Sequence, residues 1–269
     1  MSPNIQFNSG AVRAGDCISD GLAIIQPNYF LYVGICLLAF ILTGCIPILN
    51  YFLLGPVSVG VYYAINRQMR NEPVDFGMMF KGFEKFVPAM VIGLITAIPQ
   101  IAGDVLQYTA RFAQIFAGMS SSHETDTNYF AQNMQGFPEF ALSGGIIAII
   151  IIFVILIFIF AIAWGITFYF TLPLLSEYDL SIGEAVSLGA RAGWANWSGI
   201  FVLSIFQGLV MIAGALLLCI GLFFVLPIVY GSKMVAYRQV FPDNQNLFNN
   251  EPPRPDAYGG TYGMPQKFG

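Results

Sequence analysis

Charge is what this sequence has least of. Only 10% of its 269 residues are Asp, Glu, Lys or Arg, while 57% are hydrophobic; soluble domains carry roughly 25% charge. From Gly21 to Asn66, forty-six residues in a row, no charge occurs at all. Fifteen acidic residues against eleven basic ones leave a net charge of −4, which excludes the basic surface that nucleic-acid binding requires. Histidine occurs once, as His123 in a Ser/Thr/Asp-rich stretch beside Glu124 and Asp126, so imidazole ligation inside the apolar runs is excluded. The four cysteines, Cys17, Cys36, Cys45 and Cys219, match no zinc or haem spacing and read as small apolar fillers. Walker loop, nucleophile elbow, HExxH and CxxC patterns are all missing, so no cofactor, no metal site and no enzyme activity are expected.

What the sequence does have is apolar length. A hydrocarbon core is crossed by about 20 helical residues, so the uncharged run of 21–66 holds two spans, with Cys45-Ile-Pro-Ile-Leu-Asn50 as the bend. Residues 1–21 carry Arg13, Asp16 and Asp20 without an apolar h-region, so the first span is expected to act as the targeting signal. Within residues 11–27, Val12, Cys17, Leu22 and Ile25 fall near one helical face and Asp16, Ser19 and Asp20 near the other. This predicts an amphipathic helix in the membrane interface. A second interfacial helix is expected near residues 74–86, where Phe76, Met79, Phe80 and Phe83 keep helical spacing beside Lys81 and Lys85. A third covers Leu180 to Trp197.

The remaining runs predict spans near residues 86–103, 142–166, 197–217 and 219–240, added to those near 28–46 and 49–68. The fold class is all-α: a polytopic helical membrane protein of about six spans with three interfacial helices on the cytoplasmic side. Asp104 is expected to end the third span and open an outer loop over 104–140, in which Val105 to Phe116 suggest a surface helix. The run Phe140–Ser176 would extend about 55 Å as one helix, and its shape, straight or broken, is open. A single span there leaves ten of the eleven basic residues on one side, with only Arg111 across. By the positive-inside bias both termini are then cytoplasmic. The tail 242–269 has no periodicity and is expected to be disordered. Its Pro252, Pro255, Tyr258 and Tyr262 would suit docking in a partner's groove.

An internal repeat is legible. Pro56-Val-Ser-Val-Gly60 and Pro227-Ile-Val-Tyr-Gly231 share a Pro-x-x-x-Gly pattern, and eleven residues past each proline stands an Arg-Gln pair, Arg67-Gln68 and Arg238-Gln239. Asn28-Tyr29 and Asn196-Trp197 open the two hairpins; Asp16, Ser19 and Gly21 match Glu184, Ser187 and Gly189. The unit is interfacial helix, span, bend, span. These features resemble a loose group of uncharacterised bacterial inner-membrane proteins of about six spans. That group includes the membrane domain attached to some glycerophosphodiester phosphodiesterases. The resemblance implies a multi-pass protein of the inner (plasma) membrane and carries over no catalytic residue.

The candidate functional residues are Lys233, Asn50, Asn66, Arg67 and Arg238. Lys233 lies inside the last apolar helix, where an ionisable group marks function or snorkels to the headgroups. Gly189 and Gly193 have GxxxG spacing, a possible dimer signal. Pro47, Pro56, Pro99, Pro173 and Pro227 either kink helices or free backbone groups to line a cavity. The expected function is a non-enzymatic accessory or scaffold subunit binding lipids or a larger membrane complex. The alternative is a small-solute or lipid transporter built from the two hairpins, with a polar cavity near Asn50, Asn66, Ser232 or Lys233.

Overall fold

The computed structural model describes residues 5–44, 47–120, 144–217 and 220–242. The described residues are all-helical, without a strand, in nine α-helices: α1 (Ala14–Ile25), α2 (Tyr29–Gly44), α3 (Pro47–Met69), α4 (Phe86–Ser120), α5 (Gly144–Phe168), α6 (Thr171–Glu177), α7 (Ile182–Ala195), α8 (Trp197–Leu216) and α9 (Ile220–Val240). A 3₁₀ turn, Gln26–Asn28, joins α1 to α2, and a longer 3₁₀ helix, Phe76–Lys85, precedes α4. Among the described residues, four stretches are long and apolar enough to cross a membrane: Ala14–Thr43, Phe76–Phe116, Ile151–Glu177 and Trp197–Leu216.

The two helices with the Pro-x-x-x-Gly motif, α3 and α9, supply much of the core. Val57, Val59, Val61, Ala64 and Ile65 are buried from α3, as are Met234, Val235, Ala236, Tyr237 and Val240 from α9. At 23 and 21 residues they are long enough to span, but they face protein and so carry Ser, Asn, Tyr and Lys. At the other extreme is α5, where every side chain from Ile151 to Phe160 is exposed. A helix apolar all round belongs in an apolar solvent.

The short amphipathic elements dock on the core backbone to backbone, and the repeated glycines are why. The 3₁₀ helix crosses α3 where a Cβ on Gly60 would lie 1.8 Å from the Met79 carbonyl oxygen, and one on Gly82 1.9 Å from that of Pro56. Helix α1 crosses α9 in the same way: a Cβ on Gly21 would sit 2.5 Å from the Ser232 nitrogen. Each Pro-x-x-x-Gly motif is thus a seat for one amphipathic element. In α7, a Cβ on Gly189 would meet Thr171 Oγ1 at 2.7 Å, and one on Gly193 the Ile166 carbonyl at 2.3 Å. The GxxxG pair therefore serves a crossing within the chain, against α5 and α6.

Several sequence expectations need correction. Asp104 does not end its helix, and the segment after it is not a separate one: α4 runs unbroken from Phe86 to Ser120. The Tyr51 hydroxyl donates to the Asp104 carboxylate, so the charge is held on the helix. Phe76–Lys85 is 3₁₀ rather than α, and its buried residues Met79 and Gly82 follow a period of three. Leu22 lies off the buried face of α1, which consists of Ala14, Cys17, Gly21 and Ile25. The run Phe140–Ser176, whose shape the sequence left open, is broken within its described part, where Tyr169 and Phe170 interrupt the helix between α5 and α6. Pro47 opens α3 at its first position, where its missing N–H costs nothing.

Candidate functional site

The C-terminal ends of α3, α6 and α9 converge, and each brings a polar side chain. Asn66 and Arg70 come from the end of α3, Glu177 from the last residue of α6, and Tyr237 and Arg238 from the last turn of α9. Glu177 Oε1 accepts from Arg70 Nη2 at 2.7 Å and from Arg238 Nη2 at 2.8 Å; Oε2 accepts from the Tyr237 hydroxyl at 2.6 Å. Arg238 Nη2 also donates to Asn66 Oδ1. One carboxylate thus joins two guanidiniums and a phenol, and Asn66 and Tyr237 are buried beneath them. Charge-assisted bonds of this kind tie helix ends together, because a buried ion keeps its charge only while paired.

The structure therefore unites Arg238 with Asn66 from the sequence-derived candidates and separates the rest. Arg67, the repeat counterpart of Arg238, pairs elsewhere: its Nε lies 2.7 Å from Glu72 Oε2, without hydrogen-bond alignment, and its Nη1 donates to the Tyr63 hydroxyl at 3.3 Å. Asn50 sits sixteen residues before Asn66, about 24 Å along the same helix, toward the Tyr51–Asp104 end. The paired glutamines also differ: Gln68 accepts from Asn28 Nδ2, whereas Gln239 accepts from the Arg13 amide. Sequence reasoning missed Glu177, Arg70 and Tyr237. The available signal was Glu177 itself, the acid that closes the uncharged run 140–176.

Beside this seam, Lys85 reaches from the end of the 3₁₀ helix to the end of α6. Its ammonium donates to the Leu175 and Tyr178 carbonyls, both at 2.9 Å, and pairs with Asp179 at 2.8 Å. A cation there satisfies carbonyls that a helix C-terminus leaves free. The Lys85 ammonium, by its hydrogen bond and its charge, holds the Asp179 carboxyl below its usual range.

Deeper along α9, Lys233 is held between aromatic faces, its Nζ 4.7 Å from the Tyr169 ring centroid and 5.5 Å from that of Tyr62. The adjacent Ser232 is fully buried and accepts from Gln207 Nε2 at 2.8 Å while donating to the Val229 carbonyl. The Tyr169 hydroxyl donates to Gln207 Oε1 at 3.4 Å. Two cavities flank this region. An apolar cleft of about 380 Å³ opens between α5 and α8, lined by Phe158, Ile162, Gly165, Tyr169, Phe201 and Ser204 among others. A pocket of about 170 Å³ lies between α2, α3 and α9, lined in part by Cys36, Thr43, Ser58 and Tyr230.

Among the described residues no group of three metal-ligating side chains forms. His123 and the tail residues Pro252, Pro255, Tyr258 and Tyr262 lie outside the described residues. The chain matches no protein-family model, no curated protein and no solved structure.

Proposed function

We propose that this chain is a non-enzymatic, six-span membrane protein that acts as a scaffold, holding lipids and docking to a larger membrane complex. The four apolar stretches supply four spans; the protein-facing helices α3 and α9 supply the other two. The arginine-rich ends of α3 and α9 lie together at the Glu177 seam, which supports a common cytoplasmic face for both termini. Such a protein of a bacterial inner membrane also fits the family resemblance of its hairpins.

The observation that carries the scaffold reading is how the polar interior is occupied. Asn66 is taken by Arg238, and Ser232 by Gln207 and Val229. A solute carrier built from the two hairpins needs such groups free to bind a passenger near the midplane. Meanwhile the large apolar surfaces of α5 are turned outward, toward lipid or partner helices.

Isolation in lipid nanodiscs without detergent, followed by identification of accompanying proteins and lipids, tests this directly. A stoichiometric membrane partner is expected; solute uptake by vesicles containing the purified chain alone would overturn the scaffold reading in favour of the carrier. Topology is read separately by cysteine labelling from outside. Labelling at Ser121→Cys but not at Ser181→Cys or Gly260→Cys is expected, and the reverse pattern would overturn the topology with cytoplasmic termini.

A further inference from the structure

We propose that the cleft between α5 and α8 seats an acyl chain of an anionic membrane phospholipid, and that Lys233 supplies the charge that selects it. The proposal rests on the membrane reading above and adds a ligand class and a site.

Three observations carry it. The cleft is built for an apolar chain: its walls are Phe158, Ile162, Ile166, Phe201 and Ile205, with about 380 Å³ between them, within the range of small-ligand sites. Its lining residues Phe158, Ala161 and Gly165 are exposed on α5, the helix that exposes every side chain from Ile151 to Phe160, and on the membrane reading that flank meets hydrocarbon. Gly165 lies in its wall, and a Cβ there would meet nothing within 4 Å; that space is unfilled rather than closed by packing.

The second observation is polarity at one end. Tyr169 lines the cleft, its hydroxyl bonds Gln207, and its ring carries the Lys233 ammonium at 4.7 Å. Tyr169 is thus shared by the apolar cleft and the contacts to Gln207 and Lys233, the juxtaposition of apolar and cationic groups that an anionic amphiphile needs.

The third is the charge state of Lys233 against that of other cations. Arg13, Arg67, Arg70, Lys81, Lys85 and Arg238 each have a carboxylate within 4 Å. Arg111 and Arg191 are exposed. Lys233, half-buried inside the bundle, has two tyrosine faces and, among the described residues, no carboxylate. Ring quadrupoles hold an ammonium without neutralising it. A cation at that depth attracts a counter-ion, and a lipid phosphate is the anion that arrives attached to a chain fitting the cleft.

Native mass spectrometry of the full chain, delipidated and then offered phosphatidylglycerol or phosphatidylcholine of identical acyl chains, tests the site. The wild type should retain phosphatidylglycerol at least threefold over phosphatidylcholine. Lys233→Met should abolish that preference, Lys233→Arg should keep it, and Gly165→Leu should lower occupancy by both lipids. Equal retention by the wild type, or a preference surviving in Lys233→Met, overturns the proposal. Should Lys233→Met fail to fold, Gly165→Leu decides: undiminished phosphatidylglycerol binding overturns the site. Partner co-isolation and cysteine labelling are scored in the same preparations, so equal retention of the two lipids by the wild type, or a preference surviving in Lys233→Met, with those intact rejects this site and leaves the scaffold reading standing.

Discussion

Glu177 and Arg238 face each other at 2.8 Å with 8% and 12% of their side chains exposed. The same carboxylate oxygen serves Arg70, so one acid compensates two cations from helices far apart in sequence. Removing it would take that carboxylate from both guanidiniums. Glu177→Ala is expected to cost about 3–5 kcal/mol, the scale for breaking a buried pair from one side. Thermal unfolding in detergent reads the loss. A melting temperature within a degree or two of wild type would mean that the seam holds nothing together.

The glycine seats make a sharper contrast. Gly60→Ala and Gly82→Ala each drive a methyl into carbonyl oxygens less than 2 Å away, and should separate the 3₁₀ helix from α3. Gly103→Ala is the control, because its Cβ meets nothing within 4 Å. There the gain in helix propensity, roughly 0.5–1 kcal/mol, should appear as unchanged or raised stability. Equal effects at Gly60 and Gly103 would show that close approach is not what the motif supplies.

Acid should loosen the connection between α6 and α7. Ser181 and Glu184 form a reciprocal capping box at the start of α7, and the Ser181 hydroxyl and amide hold the Glu184 carboxyl below its ordinary 4.5. Asp179, beside Lys85, is likewise lowered from 3.8. A depressed carboxyl pKa means the folded state favours the charged form. That stabilisation is complete above the unfolded values and is lost as pH falls through the lower folded ones. Melting temperature should therefore drop below pH about 4, and less steeply in Asp179→Asn. Ser181→Ala should cost about 0.5–2 kcal/mol at neutral pH. An identical acid limb in Asp179→Asn would remove this carboxylate from the account.

The tail offers a prediction from sequence alone. Proline presets extended geometry and tyrosine gives contact area with few rotatable bonds, so Pro252, Pro255, Tyr258 and Tyr262 suit a partner's groove. Deleting 246–269 should leave the helices intact by circular dichroism and release a co-isolating partner. Full retention of every partner would make the segment a passenger.

Much of the architecture is legible in the chain itself. Apolar runs set which segments are helical, because lipid leaves backbone groups no other way to be satisfied. The duplicated Pro-x-x-x-Gly and Arg-Gln pattern marks α3 and α9 as counterparts, and the amphipathic segment Leu180 to Trp197 marks α7. What periodicity could not supply is which faces meet. In lipid every apolar face is equally content, so partners are chosen by close approach at small residues and by polar groups that need one another. Hence Gly21 finds Ser232 and Gly82 finds Pro56, while Glu177 finds Arg70 and Arg238 across 107 and 61 residues. Those pairings give repeat-equivalent Arg67 and Arg238 different surroundings, and they set Lys233 between two tyrosines. Only tertiary structure decides them, because each depends on the geometry of segments that share no local pattern.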